Sequence, residues 1–385
     1  MYYFGRHENI GLGGGKVIVM DLKVNNFYAF KNFHINMSYP KKIIDSNIKN
    51  EYLKDRLNFR YKKVNIIMGS NATGKTSIGK MLMQIFNFIS KKDIERFSGL
   101  ICDKSKKASF SIDFVLDDYI LYRLETEIHP NDKQEYSDSN VNVLVNSVKI
   151  NQNDSYEKCV KRFPDKSLHG TENYIIELDK ISAFGWFFTY PTDNSRLNCK
   201  DGENNYLEIL NYTLKALDPS IEKVKKLKDV DDSYIIKTKY QDLIVQDGQV
   251  IKESLLSSGT KGGLDIAYMI AAIKNGRNGF YYCDEKFSYV HSDIEKAFIG
   301  VMINALMDND QIFITTHNTD VLDINLPKHT YVFLKKDMSD SEQPIKCISA
   351  SDYLKRNTDS IRNAIDNDLF SVAPSLELIY DIDEL

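Results

Sequence analysis

The sequence predicts an α/β fold built around a phosphate-binding loop, and three stretches of the chain point to it. Gly69-Ser70-Asn71-Ala72-Thr73-Gly74-Lys75-Thr76 follows the apolar run Val64–Met68 and precedes a helical pattern, the strand-loop-helix setting of a Walker A motif. Gly279-Phe280-Tyr281-Tyr282-Cys283-Asp284-Glu285 reads as an apolar strand ending in two carboxylates. Residues 311–316 read as a further buried strand, closed by His317 and Asn318. Charged and imidazole groups at strand ends stand where open α/β sheets gather ligand chemistry.

Composition sets the outer bounds. The 385 residues allow one large domain or two, and a hydrophobic content of 42% supplies a core. Basic and acidic residues nearly balance, 50 against 54, for a net charge of −4, so no chain-wide attraction to nucleic acid or anionic membrane is expected. The longest apolar stretches, such as 78–89 and 266–273, fall short of the roughly 20 residues that span a bilayer. The N-terminus has no apolar signal-peptide core. Cys102, Cys159, Cys199, Cys283 and Cys347 are scattered without zinc-binding spacing, which suits a reducing cytoplasm.

Taken in order, residues 1–15 read as a flexible leader because the glycines at 11 and 13–15 precede a strand rather than follow one. Residues 16–190 are expected to form a first lobe, which carries the phosphate loop. Residues 16–24 alternate as a strand, and 34–37 make a second after a turn through Asn26-Phe27-Tyr28-Ala29. Beyond the phosphate loop, Ile78, Met81, Leu82, Ile85, Phe86 and Ile89 recur at helical spacing, predicting a helix over 75–90. Alternating segments at 108–116, 119–128 and 141–150, parted by Asp, Asn and Pro clusters, predict an antiparallel β subdomain.

Residues 191–255 read as a small inserted helical lobe followed by a hairpin. Leu207, Leu210, Leu214 and Leu217 share one helical face, and Asp218-Pro219-Ser220 is the expected cap of a second helix through Ile221 and Val224. The hairpin runs from 234 to 250 with Asp247-Gly248 as its turn. The helical pattern is too short for a coiled coil. Residues 256–345 are expected to carry the second half of the nucleotide-binding fold, and 346–385 a C-terminal extension.

The motifs supply the chemistry. The nucleotide-binding residues are expected to be Gly69, Ser70, Asn71, Ala72, Thr73, Gly74, Lys75, Thr76 and Ser77. Their glycines let backbone N–H groups curl around phosphates at a helix's positive end, Lys75 reaches the outer phosphates, and Thr76 is placed to hold Mg²⁺. Leu256-Ser257-Ser258-Gly259-Thr260 opens an apolar-periodic helix, either an anion site or an ordinary helix start. Asp284 would orient Mg²⁺ or its water, and Glu285 would act as general base on the attacking water; solvated charges at a strand end are the alternative. His317 would hydrogen-bond the γ-phosphate, and a structural histidine is the alternative.

The order Walker A, "LSSGT", "YYCDE" and "TTH" resembles the ABC-type ATPase head of the SMC and RecF group. Within it the chain is similar to the short "AAA family" ATPases of overcoming-lysogenization-defect, abortive-infection and PARIS-type phage-defence systems. The opening "NFYAFKNF" is similar to the pattern that begins such heads. The resemblance spans residues 16 to about 335 and implies an ABC/SMC-type P-loop NTPase head with a mixed central sheet. It further implies ATP and Mg²⁺ as cofactors, Ser257 and Gly259 acting in trans in a head-to-tail homodimer, Asp284 on Mg²⁺, Glu285 as base, and His317 as switch. Two departures stand out. Tyr28 occupies a position usually basic, and no glutamine in the region 181–190 fits the Q-loop metal ligand.

The resemblance implies a slow, dimerisation-dependent cytoplasmic ATPase that acts as sensor or scaffold in anti-phage defence and controls a separate nuclease or toxin. With neither a long SMC arm nor room for a Toprim nuclease, the chain is expected to lack an effector of its own. The alternative is a RecF-like DNA-repair ATPase, with Lys104-Ser105-Lys106-Lys107 and residues 223–228 as phosphate contacts or merely solvated charge runs. A transporter's nucleotide-binding subunit fits least, because the signature follows Lys75 at too long a distance.

Overall fold

The predicted phosphate-loop strand lies inside a seven-stranded sheet of a computed structural model. The structure describes residues 10–11, 14–43, 46–131, 136–168, 173–191, 205–227, 230, 233–246, 249–250, 256–276, 278–356, 359–370 and 380–384. In chain order come β1 (Ile10–Gly11), β2 (Val17–Asn25), β3 (Phe33–Asn36), β4 (Tyr52–Leu53), β5 (Arg56–Arg60) and β6 (Val64–Met68). Helices α1 (Lys75–Lys91) and α2 (Ile94–Ser98) lead to β7 (Ala108–Leu116), β8 (Ile120–Ile128) and β9 (Val141–Lys149). Next are α3 (Tyr156–Val160), α4 (Tyr174–Leu178), β10 (Trp186–Thr189) and α5 (Tyr206–Leu217), then β11 (Ile221–Lys226), β12 (Ser233–Thr238), β13 (Asp242–Gln246) and β14 (Gln249–Val250). The chain continues through α6 (Ser258–Asn275), β15 (Phe280–Asp284), α7 (Ser292–Ala305) and β16 (Gln311–Thr315). It closes with β17 (Tyr331–Lys336), β18 (Ile345–Ser349), α8 (Ala350–Tyr353) and α9 (Ile361–Asp366).

The central sheet has the order β1-β10-β15-β16-β6-β17-β18. Its five inner strands are parallel, and β1 and β18 join antiparallel at the edges, so the sheet is mixed. Parallel strands covered on both faces must be apolar throughout. In β15, Phe280 and Tyr282 enter one core while Tyr281 and Cys283 enter the other.

On the first face α1 lies between the central sheet and a five-stranded antiparallel sheet, β3-β2-β7-β8-β9. Phe86 makes edge-on contacts with Phe184 and Phe280, each such pair adding about 0.5–1.5 kcal/mol beyond simple burial. The two sheets are joined by a buried amide. Gln311 Oε1 accepts the Val19 N–H at 2.9 Å, and its Nε2 donates to the Val19 and Lys62 carbonyls at 3.0 and 3.1 Å. On the opposite face pack α5, α6 and α7.

Several expectations change here. Residues 10–11, expected within a flexible leader, pair with Phe187 and Trp186 at the sheet edge; the rest of that leader up to residue 13 lies outside the described residues. The second helix expected after Pro219 is strand β11, and the inserted lobe is one helix with a four-stranded antiparallel sheet, β11-β12-β13-β14. The reason is a register shift between Ile221 and Lys223. The extra residue places Ile221 and Val224, three apart, on the same buried face, which imitates helical spacing. The expected turn at Asp247-Gly248 lies outside the described residues. Part of the C-terminal extension belongs to the core: β18 pairs with β17, and Phe370 stacks on Phe333 at 4.3 Å.

Candidate nucleotide site

Parallel strands deliver their C-terminal ends to one edge of the sheet, and there β6, β15 and β16 bring the motifs together. The phosphate loop joins β6 to α1. Gly74, the residue before α1, has φ 95°, a left-handed conformation that favours glycine. It supplies no capping side chain, and the first turn of α1 holds no acidic residue. The positive end of a 17-residue helix is thereby left to an anion. Lys75 folds back over the loop, its Nζ donating to the Gly69 and Ser70 carbonyls at 2.7 and 3.1 Å and lying 3.2 Å from Glu285 Oε1. Of the remaining loop residues, Asn71 and Ala72 are exposed at its tip, whereas Thr73 is buried and donates its hydroxyl to the Ser70 carbonyl at 2.7 Å. Thr76 and Ser77 both stand in the first turn of α1, half-buried. The Thr76 hydroxyl is directed at Asp284. What Ser77 offers is its place in the first turn, where backbone N–H groups lack helical partners.

Asp284 is the buried centre of the site. Thr76 Oγ1 donates to its Oδ2 at 2.7 Å, and Thr315 Oγ1 donates to its Oδ1 at 2.5 Å. Burial pushes the Asp284 carboxyl above the ordinary carboxylate range, and the bonds from Thr315 and Thr76 oppose that rise. A hydroxyl and a carboxylate in contact form a hard-oxygen set that fits Mg²⁺, a cation usually bound by one or two protein oxygens plus water and phosphate. Among the described residues no group of three or more His, Cys, Asp or Glu side chains is disposed to hold a metal.

Glu285 follows in a left-handed conformation, φ 44°. Its N–H is held by Thr315, by Oγ1 at 3.0 Å and by the carbonyl at 3.2 Å, so the adjacent strand fixes the strained residue. The Glu285 side chain shares a cavity of about 390 Å³ with His317, Thr316 and Glu295. His317 itself is exposed.

Ser257 and Gly259 stand at the start of α6. Ser257 caps α6, its Oγ accepting the Thr260 N–H at 3.1 Å. The first two turns of α6 rest on the segment after Asp284: a Cβ at Gly259 would lie 2.9 Å from the Tyr289 carbonyl, and one at Gly262 3.4 Å from that of Lys286. One turn further, Asp265 forms a buried ion pair with Lys286. The spacing 259, 262 and 265 keeps all three on one helical face.

The family described as "AAA domain, putative AbiEii toxin, Type IV TA system" matches residues 64–323, the span from the phosphate-loop strand through His317. The chain belongs to that family. Its fold is similar to the Smc head domain with an extended coiled coil, bound to the C-terminal domain of ScpA, from Pyrococcus furiosus. The two share 12% identity at a TM-score of 0.51, over 91% of this chain and 98% of that one. The SMC head domain from Thermotoga maritima (14%, 0.42, covering 86% and 98%) and RecF of the RecFOR pathway (13%, 0.41, covering 88% and 100%) are also similar. No curated protein matches the sequence. This chain is thus an AAA-family P-loop ATPase whose fold is that of an SMC head domain.

Several residues of this ATPase site escape sequence reasoning. Thr315 anchors both acidic residues, Tyr282 donates its hydroxyl to the Lys75 carbonyl at 2.8 Å, and Lys286 meets Asp265. Only proximity to a motif signals them, since each partner is distant in the chain. Glu295 is 3% exposed and bonded to Thr316 and Asn318, with its carboxyl raised by burial. Of the basic runs, Lys106 and Lys107 are engaged by Asp103 and Glu127. Lys223, Lys225 and Lys226 are exposed on edge strand β11, where lysine also discourages strand pairing; Lys228 lies outside the described residues. No helix among the described residues is long and apolar enough to cross a membrane.

Proposed function

We propose that the chain is a nucleotide-gated switch. Two copies meet head to tail around ATP, Ser257 and Gly259 of each completing the phosphate loop of the other, and hydrolysis reopens the pair. The observation that carries this reading is that the motif residues fall into two groups on different elements of one chain. Lys75, Thr76, Asp284, Glu285 and His317 gather at one sheet edge, whereas Ser257 and Gly259 open a helix seated on residues 286–289. A second copy supplies the missing half most economically.

On this reading Gly69 to Ser77 hold the phosphates, and Thr76 and Asp284 hold Mg²⁺, which would neutralise charge on the phosphates. Glu285 takes a proton from the attacking water, and His317 hydrogen-bonds the γ-phosphate. Turnover is slow and requires dimerisation. Glu285→Gln keeps the shape and removes the base. It should lower hydrolysis by about 10²–10⁴-fold and leave an ATP-bound dimer in size-exclusion chromatography; wild-type turnover in this variant would remove Glu285 from the role.

We place the switch in the cytoplasm, controlling a separate nuclease or toxin in anti-phage defence. The reference to a toxin of a type IV TA system in the family description supports that role. Phage challenge of cells carrying this gene with and without its neighbours tests it, because full protection by the gene alone contradicts a separate effector. The exposed lysines of β11 favour a second reading, a DNA-binding ATPase of repair, which requires ATP-stimulated duplex binding that weakens steeply with salt.

A further inference from the structure

We propose that Glu295 is the positioning residue for His317. Glu295 lies in the first turn of α7, and its two carboxylate oxygens receive one bond each from the residues flanking the histidine. Thr316 Oγ1 donates to Oε1 at 2.9 Å and Asn318 Nδ2 to Oε2 at 2.7 Å. Thr316 Oγ1 in turn accepts the Asn318 N–H at 3.0 Å, closing the three groups into a ring. His317 is therefore held on both sides by a single carboxylate and projects between them at the cavity it shares with Glu285.

A structural role alone accounts poorly for this residue. The other buried residues of α7 are Phe298, Ile299, Met302 and Ile303, and an apolar side chain at 295 would avoid desolvating a carboxylate. What the carboxylate adds is two charge-assisted bonds of fixed direction on either side of one imidazole. Such a clamp matters because misplacing a reacting group by about 1 Å can cost about 10²-fold in rate.

The proposal rests on the reading of His317 as the group that meets the γ-phosphate, and a double-mutant cycle separates the two. Glu295→Leu should lower kcat by about 10–100-fold with nucleotide affinity for a non-hydrolysable ATP analogue nearly unchanged. Glu295→Gln, which can still accept from Asn318 and donate to Thr316, should return to within about fivefold of wild type. Asn318→Asp keeps the turn-capping oxygen but sets a carboxylate against Glu295, and should match Glu295→Leu; it decides the matter where the leucine variant does not fold. In the His317→Ala background, Glu295→Leu or Asn318→Asp should cost less than about twofold more. A slow His317→Ala enzyme in which these losses remain fully additive overturns the positioning role alone. Wild-type turnover by His317→Ala overturns both that role and the reading of His317.

Discussion

At Asp284 the burial that suits a metal ligand works against the fold. The side chain is inaccessible to solvent, and burial holds its carboxyl above the ordinary range despite bonds from Thr315 and Thr76. A raised folded-state value means a stabilising contribution that is fully present below the ordinary carboxylate pKa and lost as the pH rises through the raised one. At neutral pH the buried carboxyl therefore costs the ligand-free protein stability, and Asp284→Asn should melt at a higher temperature than wild type without nucleotide. The same variant should lose Mg²⁺-dependent ATP affinity by about tenfold or more. Thermal melts with and without Mg²⁺ and ATP check both; a lower melting temperature for the ligand-free variant would show that the carboxylate's bonds outweigh its burial.

At the scale of elements, α6 and the segment after β15 behave as one unit. Gly259 and Gly262 let backbone approach backbone, and the Asp265–Lys286 pair fastens the next turn. Removing one partner strands a buried charge, so Lys286→Met should cost about 3–5 kcal/mol, and the Lys286→Met, Asp265→Leu double variant should recover most of it in urea denaturation. Additive losses would show that the pair is not coupled. Helices α1 and α5 were legible from periodicity, as were the antiparallel strands β7 to β9 from alternation between polar clusters. Strand β10 was not, because Trp186-Phe187-Phe188 is apolar on both faces and so carries no period. The bulge of β11 hid a strand behind helical spacing. Walker A, Asp284, Glu285 and His317 could be read because each ends or follows a strand; Thr315, Glu295 and Asp265 could not, because their roles arise only where distant segments meet.

At the scale of the molecule, a parallel sheet gathers loop, carboxylates and histidine at one edge, and it leaves the signature on a helix facing another segment. The central claim is that this signature serves a second copy. Mixing two inactive variants tests it: Lys75→Ala lacks a working phosphate loop but keeps its signature, while Ser257→Arg keeps its loop but blocks its signature. Each heterodimer of the two holds one intact composite site, so an equal mixture should recover about a quarter of wild-type ATP hydrolysis. A mixture no more active than the sum of its parts would contradict the shared site.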